Sequence, residues 1–349
     1  MNNLEDFVIP GKINMVIDGQ FGSTGKGLLA SAIANCNHVD IAIGRLSPNA
    51  GHTFYIDNKK YVTKMLPVAG IMQRRSTIYL SAGSVIDVDI LLKELKEFDI
   101  DEDRVIIHPR AAIVTAEDKE LESKKDGVKK IASTQSGSGS ARASKIMRKN
   151  PLAAKDKRLE HMISHDYILK DILENDLCCL VETGQGFDLG LNFGLDYPHC
   201  TSIDVIPSSI LADIGMHPTD LGNTAMCVRT YPIRVGNIVE NNEVIGYSGD
   251  VYPDSKELTW EELNQIPELT TVTKRIRRIF TFSIIQYKRA LFYIRPDLVF
   301  LNFINYCKLP DVAYEDWFKK MVNVRKPEFV GKGPNIEDVI PFDEYFGKL

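Results

Sequence analysis

Short apolar runs alternate with helical patterns along this chain. Ile13–Asp18 has strand length and is mostly apolar, Gly19–Gly27 is glycine-rich and reads as a loop, and Leu28–Ala34 reads as an apolar helix. Val39–Ile43 reads as a second strand. Thr77–Leu80, Val105–Ile107, Leu177–Val181, Met226–Tyr231 and Leu298–Leu301 are further strands. Helical patterns cover Val88–Phe98, Leu159–Leu173 and Phe282–Tyr293. Strands alternating with helices predict an α/β fold built on parallel strands, with the active loops at their carboxyl ends. The stretch 117–157 breaks the pattern. It is rich in Lys, Ser and Gly with little apolar periodicity, and a loop of that length is expected to be functional or disordered. No repeat or linker divides the chain, so residues 1–349 are expected to form a single domain with large insertions.

Composition narrows the picture modestly. The chain has 349 residues, 44% hydrophobic and 26% charged, enough for a substantial core. Its net charge of -5 argues against general nucleic-acid binding while leaving room for a local basic patch. Cys36, Cys178, Cys179, Cys200, Cys227 and Cys307 form no C-x-x-C pair, and they are expected to be reduced, small core residues. No apolar run is long enough to span a membrane and no signal peptide is evident, so a cytoplasm is the expected location, the host's if the source is viral.

Candidate chemistry starts in the glycine loop, Gly19-Gln20-Phe21-Gly22-Ser23-Thr24-Gly25-Lys26-Gly27. Between a strand and a helix, glycines let backbone N–H groups face phosphate oxygens, while the helix N-terminus and Lys26 add positive charge. The loop departs from the standard phosphate-loop pattern. Five residues, not four, separate Gly19 from Gly25, and Gly27 stands where a Ser or Thr would hold magnesium. A second cluster, Asn49-Ala50-Gly51-His52-Thr53, follows the second strand. Gly51 permits close backbone approach to a ligand, and His52 offers a hydrogen bond or a proton.

Taken together, these loops resemble those of the adenylosuccinate synthetase family, whose glycine loop usually reads GDEGKGK and is followed by NAGHT. Glu182-Thr183-Gly184-Gln185-Gly186 is similar to the family's EGAQG, and Tyr197-Pro198-His199-Cys200-Thr201-Ser202 to its YPYVTSS. Arg234-Val235-Gly236 matches its TRVG. Thr271 to Arg278 resembles its arginine-rich aspartate loop, and Gly331-Lys332-Gly333-Pro334 its late glycine-proline turn. The resemblance spans nearly the whole chain. It implies a P-loop-NTPase-like fold with a central, mostly parallel sheet, helices on both faces and large functional loops.

The resemblance also implies an activity, a C–N ligase. The purine O6 attacks the γ-phosphate of ATP, and the amine of L-aspartate then displaces phosphate at C6. Ser23, Lys26 and His52 are implied in catalysis, and Ser23 and Gly51 at Mg²⁺. Nucleotide triphosphate falls to Ser23, Thr24, Gly25, Lys26, Gly27, Gly51, His52, Thr53, Asn302, Asn305, Gly331, Gly333 and Pro334. The purine monophosphate falls to Ser23, Asn49, Ser133, Thr134, Gln185, Thr201 and Arg148, with Arg142 as the alternative to Arg148. That arginine reaches a neighbouring subunit's nucleotide in the family, which implies a homodimer. Aspartate falls to Thr271, Val272, Thr273, Arg275 and Arg277.

Two departures sharpen the substrate. The family's loop aspartate is Ser23 here and the neighbouring glutamate is Thr24, a pattern similar to a short, phage-type branch that joins aspartate to dGMP for diaminopurine DNA. A short, neutral Ser23 leaves room for the 2-amine of guanine and offers it an acceptor. The family reads the guanine of GTP with an aspartate. Asn302 and Asn305 suit an adenine edge instead, so ATP or dATP is the expected donor. Two alternatives stay open: an ordinary synthetase using IMP and GTP, and a phosphate-loop nucleotide switch without ligase activity. The expected partners are these small molecules, with neither nucleic acid nor membrane.

Overall fold

The computed structural model describes residues 3–124, 129–164, 167–241, 243–270, 273–307 and 315–347. Among them, nine strands build the central sheet: β1 (Ile13–Asp18), β2 (Ile41–Arg45), β3 (Thr77–Leu80), β4 (Val105–Ile107), β5 (Cys179–Thr183), β6 (Leu221–Arg229), β7 (Leu298–Asn302), β8 (Phe329–Gly331) and β9 (Val339–Pro341). Their spatial order is β9-β8-β7-β6-β1-β5-β2-β3-β4. Every neighbouring pair is parallel except β8 with β9.

β1 lies in the middle and is buried at all six positions, the mark of a parallel strand covered on both faces. Ile13, Met15 and Ile17 pack into one core with Ile210, Tyr287 and Met321, from the helices Pro207–Ile214, Ile284–Ile294 and Asp316–Val324. Val16 points the other way, into a second core with Leu28, Leu29 and Ile33 of α1 (Lys26–Cys36). This alternation along β1 sandwiches the sheet between helical layers. Asn14 is the polar exception in the strand interior, and it donates to the carbonyls of Ile9, Lys12 and Cys179.

All seven expected strands form, with ends displaced by a few residues. Three elements differ from expectation. The helix expected over Leu159–Leu173 is a 3-10 segment, Lys157–Met162, followed by a separate helix, Tyr167–Glu174. The stretch expected as one long loop, 117–157, holds the helices Ala116–Lys124 and Ser138–Ile146. Polar contacts rather than an apolar face organise them. Thr115 and Asp118 cap the first reciprocally, and Glu122 accepts from the N–H groups of Gly137, Gly139 and Ser140 at the start of the second. The hairpin His52–Ile56 with Lys59–Thr63 was not expected, although its turn residues Asp57 and Asn58, at φ 50° and 61°, are the kind a two-residue hairpin needs.

The cysteines are free thiols, with Cys179, Cys227 and Cys307 buried and Cys36, Cys178 and Cys200 half-buried. Among the described residues no helix is long and apolar enough to cross a membrane.

Candidate active site

The carboxyl ends of β1, β5, β6 and β7 converge on the glycine loop. β1 ends at Asp18, and the loop then turns through positive φ at Gly22 (90°), Ser23 (58°) and Gly25 (91°). Glycine enters that region cheaply, whereas serine does so only when held. Asp18 is the loop's internal anchor. Its buried carboxylate accepts from the backbone N–H of Gln20 (2.9 Å), Gly22 (3.2 Å) and Thr24 (3.2 Å). It also accepts from Thr24 Oγ1 (2.6 Å) and Lys26 Nζ (3.3 Å). Five donors, one of them charged, compensate a carboxylate removed from water. Lys26 Nζ donates as well to the Gln185 carbonyl at 3.0 Å.

Two close approaches explain the glycines at the head of α1. A Cβ on Gly27 would lie 2.3 Å from the Thr53 carbonyl oxygen, so the hairpin backbone occupies the place of a side chain. A Cβ on Gly25 would lie 1.9 Å from Asn302 Nδ2. Asn302 is held at both ends of its amide, donating to the Thr24 carbonyl at 3.2 Å and accepting from the Phe303 N–H at 2.8 Å.

The same hairpin delivers His52. Its Nδ1 lies 3.3 Å from Glu182 Oε2, and Glu182 Oε1 accepts from the Ala69 N–H at 2.9 Å. Both side chains are buried. With a carboxylate facing Nδ1, that nitrogen carries the proton, and Nε2 is the one left for a ligand.

A cavity of about 860 Å³ opens over this arrangement. It is lined by Ser23, Thr24, Gly25, Lys26, Gly27, Gly51, His52, Thr53, Asn302, Asn305, Gly333 and Pro334, which covers every expected triphosphate residue but Gly331. Gly331 lies behind Asn302, its Cβ position 2.2 Å from Asn302 Oδ1. Asn305 is exposed, so of the two asparagines it is the one positioned to read a base. Glu268, Arg277, Phe303 and Tyr306 form another wall. Burial pushes the Arg277 guanidinium down to about 10, with Glu268 opposing the fall and Arg229 adding to it, so it stays a cation near neutrality. A cavity lined by the first turn of α1 with Lys26, and by Arg277, suits a polyphosphate.

The family model for adenylosuccinate synthetase matches residues 15–156 and 149–305. The chain belongs to the adenylosuccinate synthetase family. The N6-succino-2-amino-2'-deoxyadenylate synthase of Vibrio phage phiVC8 is 37% identical over 349 residues, covering 94% of this chain and 97% of that protein. An adenylosuccinate synthetase of Pyrococcus sp. (strain ST700) is 35% identical over 346 residues, covering 93% and 97%. The solved succinoaminodeoxyadenylate synthetase (PurZ) of cyanophage S-2L, bound to dGMP and dATP as an energy donor, matches with a TM-score of 0.84 at 36% identity, covering 95% of each chain.

Of the remaining family motifs, Gln185 and Gly186 meet the loop and Asn49 joins them through Gln185. Gln185 Nε2 donates to Asn49 Oδ1 at 2.9 Å, placing both beside Lys26. Gly186 packs against the loop itself, its Cβ position 2.3 Å from the Gln20 carbonyl oxygen and the Gly22 nitrogen. Thr201 is tied by its N–H to the Leu189 carbonyl at 2.7 Å. Arg275 donates to the carbonyls of Ala132 (2.8 Å) and Ser133 (3.2 Å) and to Thr273 Oγ1 (3.0 Å), so it brings the Ser133–Thr134 segment against the arginine loop. Thr134 Oγ1 donates to Ser136 Oγ at 3.3 Å. Thr271 and Val272 lie outside the described residues. Arg148 is exposed, whereas Arg142 turns inward to the Gly83 carbonyl at 3.0 Å.

Sequence reasoning passed over Asp18, Arg229 and Glu268. Asp18 was absorbed into an apolar strand, although a lone carboxylate at the end of such a run was a usable signal. Arg229 likewise closes a strand, and its partner Glu268 is 39 residues away. No local pattern connects them.

Proposed function

We propose that this chain is a ligase joining L-aspartate to C6 of dGMP, with ATP or dATP as energy donor, to give N6-succino-2-amino-2'-deoxyadenylate for diaminopurine DNA. The observation that carries this reading is Ser23. It is exposed to the cavity at the position of the family's aspartate, and a similar phage enzyme is solved with dGMP and dATP. A serine there leaves room for a purine 2-amine and can accept from it. Attack of O6 on the γ-phosphate demands charge stabilisation and alignment, and the loop amides, Lys26 and His52 supply both. Arg277, which lines the cavity, and Arg275, which holds the neighbouring Ser133 segment, are the expected cations for the two carboxylates of aspartate. Ser133, Thr134, Asn49, Gln185 and Thr201 are the expected cradle of the monophosphate.

Magnesium fits the donor set in a limited way. Ser23 and Gly51 both line the cavity and offer neutral oxygens, while the Ser23 carbonyl is already taken by Arg229. Mg²⁺ commonly keeps waters and takes nucleotide phosphates with few protein ligands, so the set suits an ion carried mainly by the triphosphate. Such an ion neutralises charge on the transferred phosphoryl group. The exposure of Arg148 suits its expected reach into a second subunit, and a homodimer is part of the proposal.

Phosphate release from GMP, dGMP and IMP, each paired with ATP, dATP and GTP and run with and without aspartate, tests the reading. Aspartate-dependent release with dGMP and an adenine donor is expected. Turnover of IMP but not dGMP would replace it with ordinary adenylosuccinate synthesis, and nucleotide binding without aspartate-dependent release would point to a switch.

A further inference from the structure

Arg229 ends β6 and is fully buried, with no exposed side-chain surface. One guanidinium there touches three segments with different tasks. Its Nη1 donates to the Ser23 carbonyl at 3.0 Å. Nη2 and Nη1 grip the Glu268 carboxylate at 2.6 and 3.4 Å, a two-point contact that fixes orientation as well as charge. The guanidinium also stacks over the Phe303 ring at 3.9 Å. Phe303 follows Asn302 in the segment expected to read the donor base.

Glu268 extends the connection. Its carboxylate accepts from Tyr306 Oη at 2.9 Å, and its backbone carbonyl accepts from the Arg277 N–H at 2.9 Å. Burial alone would raise the Glu268 carboxyl. The charge and hydrogen bonds of Arg229, with Tyr306 and Arg277, outweigh that and hold it below the ordinary range. Ser23, meanwhile, sits at φ 58°, a conformation a serine keeps only when its surroundings hold it. The Arg229 contact to its carbonyl is such a hold.

We propose that the buried Arg229–Glu268 pair is a positioning device that locks the Ser23 turn to the arginine-bearing segment, so that purine choice and aspartate capture depend on one ion pair. The aspartate half rests on the functional reading above. Neither residue is required to touch the reacting atoms. The pair sets where Ser23 and Arg277 stand relative to one another in a shared cavity wall.

Glu268→Gln keeps the size of the side chain and removes the charge that holds Arg229. In the full-length enzyme it is expected to raise the KM for aspartate by about tenfold or more and to lower the dGMP:IMP ratio of kcat/KM several-fold. The KM for ATP should stay within about threefold. Arg229→Lys should act in the same direction, because one ammonium cannot make both contacts. A folded Glu268→Gln enzyme, judged by circular dichroism and melting, that keeps both quantities within about twofold of wild type overturns the proposal. So does a rise of the KM for aspartate and the KM for ATP by a common factor with the dGMP:IMP ratio unchanged, which is what general loosening would give. Tyr306→Phe removes only one hydrogen bond from Glu268 and carries the test if the other variants do not fold. It should show the same split at about threefold, and no split there overturns the idea. Wild-type enzyme without aspartate-dependent phosphate release would sink the functional reading instead. The Ser23 half is then read from the ratio of dGMP to IMP dissociation constants, which Glu268→Gln should still change.

Discussion

At the scale of single residues, the site turns on short side chains in constrained places. Ser23→Asp restores the carboxylate of the family's loop, and on the proposed reading it would stand beside the 2-position of the purine. The ratio of kcat/KM for IMP over dGMP should rise by about tenfold or more, since about 1.4 kcal/mol of differential binding is enough for that. Unchanged dGMP turnover would remove Ser23 from the selectivity argument. Asp188 makes a different prediction. It accepts from Tyr252 Oη and Gln286 Nε2, both at 2.6 Å, and its N–H donates to the Gln20 carbonyl of the glycine loop at 3.0 Å. Burial pushes its carboxyl from 3.8 up to about 6, against the opposing pull of these hydrogen bonds and of Arg289. Between those pH values the folded chain keeps a proton that the unfolded chain has released. Asp188 therefore contributes stability below about pH 4 that is lost as pH rises through about 6. Relative to Asp188→Asn, the wild type should lose up to about 3 kcal/mol across that window, read from melting curves at stepped pH. A difference independent of pH would contradict the assignment. Ser23, Lys26 and His52 were readable from sequence because their motifs are contiguous. Asp18 left a signal at the end of its apolar run, whereas Glu268 and Arg229 left none, because their contacts are made across the fold.

At the scale of elements, the decisive contact is between α1 and the hairpin that carries His52. Thr53 backbone fills the place where Gly27 would have a side chain, which gives a physical reason for the missing Ser or Thr. Gly27→Ser should therefore not supply a magnesium ligand. It should separate helix from hairpin, cost about 1–3 kcal/mol, and raise the dissociation constant for ATP. Calorimetric melting and nucleotide titration would show it, and an unaltered melting temperature would exclude the clash. The strands of the central sheet were legible because burial on both faces leaves uninterrupted apolar runs. The hairpin was not legible, because Tyr55, Ile56, Lys59 and Lys60 alternate poorly and the Asp57-Asn58 turn is a weak signal. The helices within 117–157 were hidden for the opposite reason, since polar caps rather than an apolar stripe define them.

At the scale of the whole molecule, sheet order places the glycine loop at a central strand, with β5 on one side and β6 on the other. Sequence patterns predict parallel strands but carry no information on their order, and order is what brings Glu182, Arg229 and Asn302 to one rim. Assembly yields a separate prediction. If Arg148 serves a neighbouring subunit, Arg148→Ala and Lys26→Ala should each be nearly inactive, and mixing them should regain roughly a quarter of wild-type sites through mixed dimers. Measured phosphate release that does not exceed the sum of the two variants would place Arg148 outside the shared site.

Asn302 has one more consequence, for how the protein is made. Its amide holds the Thr24 carbonyl across 278 residues of chain. The ribosome therefore delivers the glycine loop 278 residues before its fastener. At about 5–20 residues per second, the early loop waits on the order of 15 to 60 seconds before it can be closed. Nascent chains of this protein should stay blind to nucleotide until Asn302 has emerged and gain it abruptly after that.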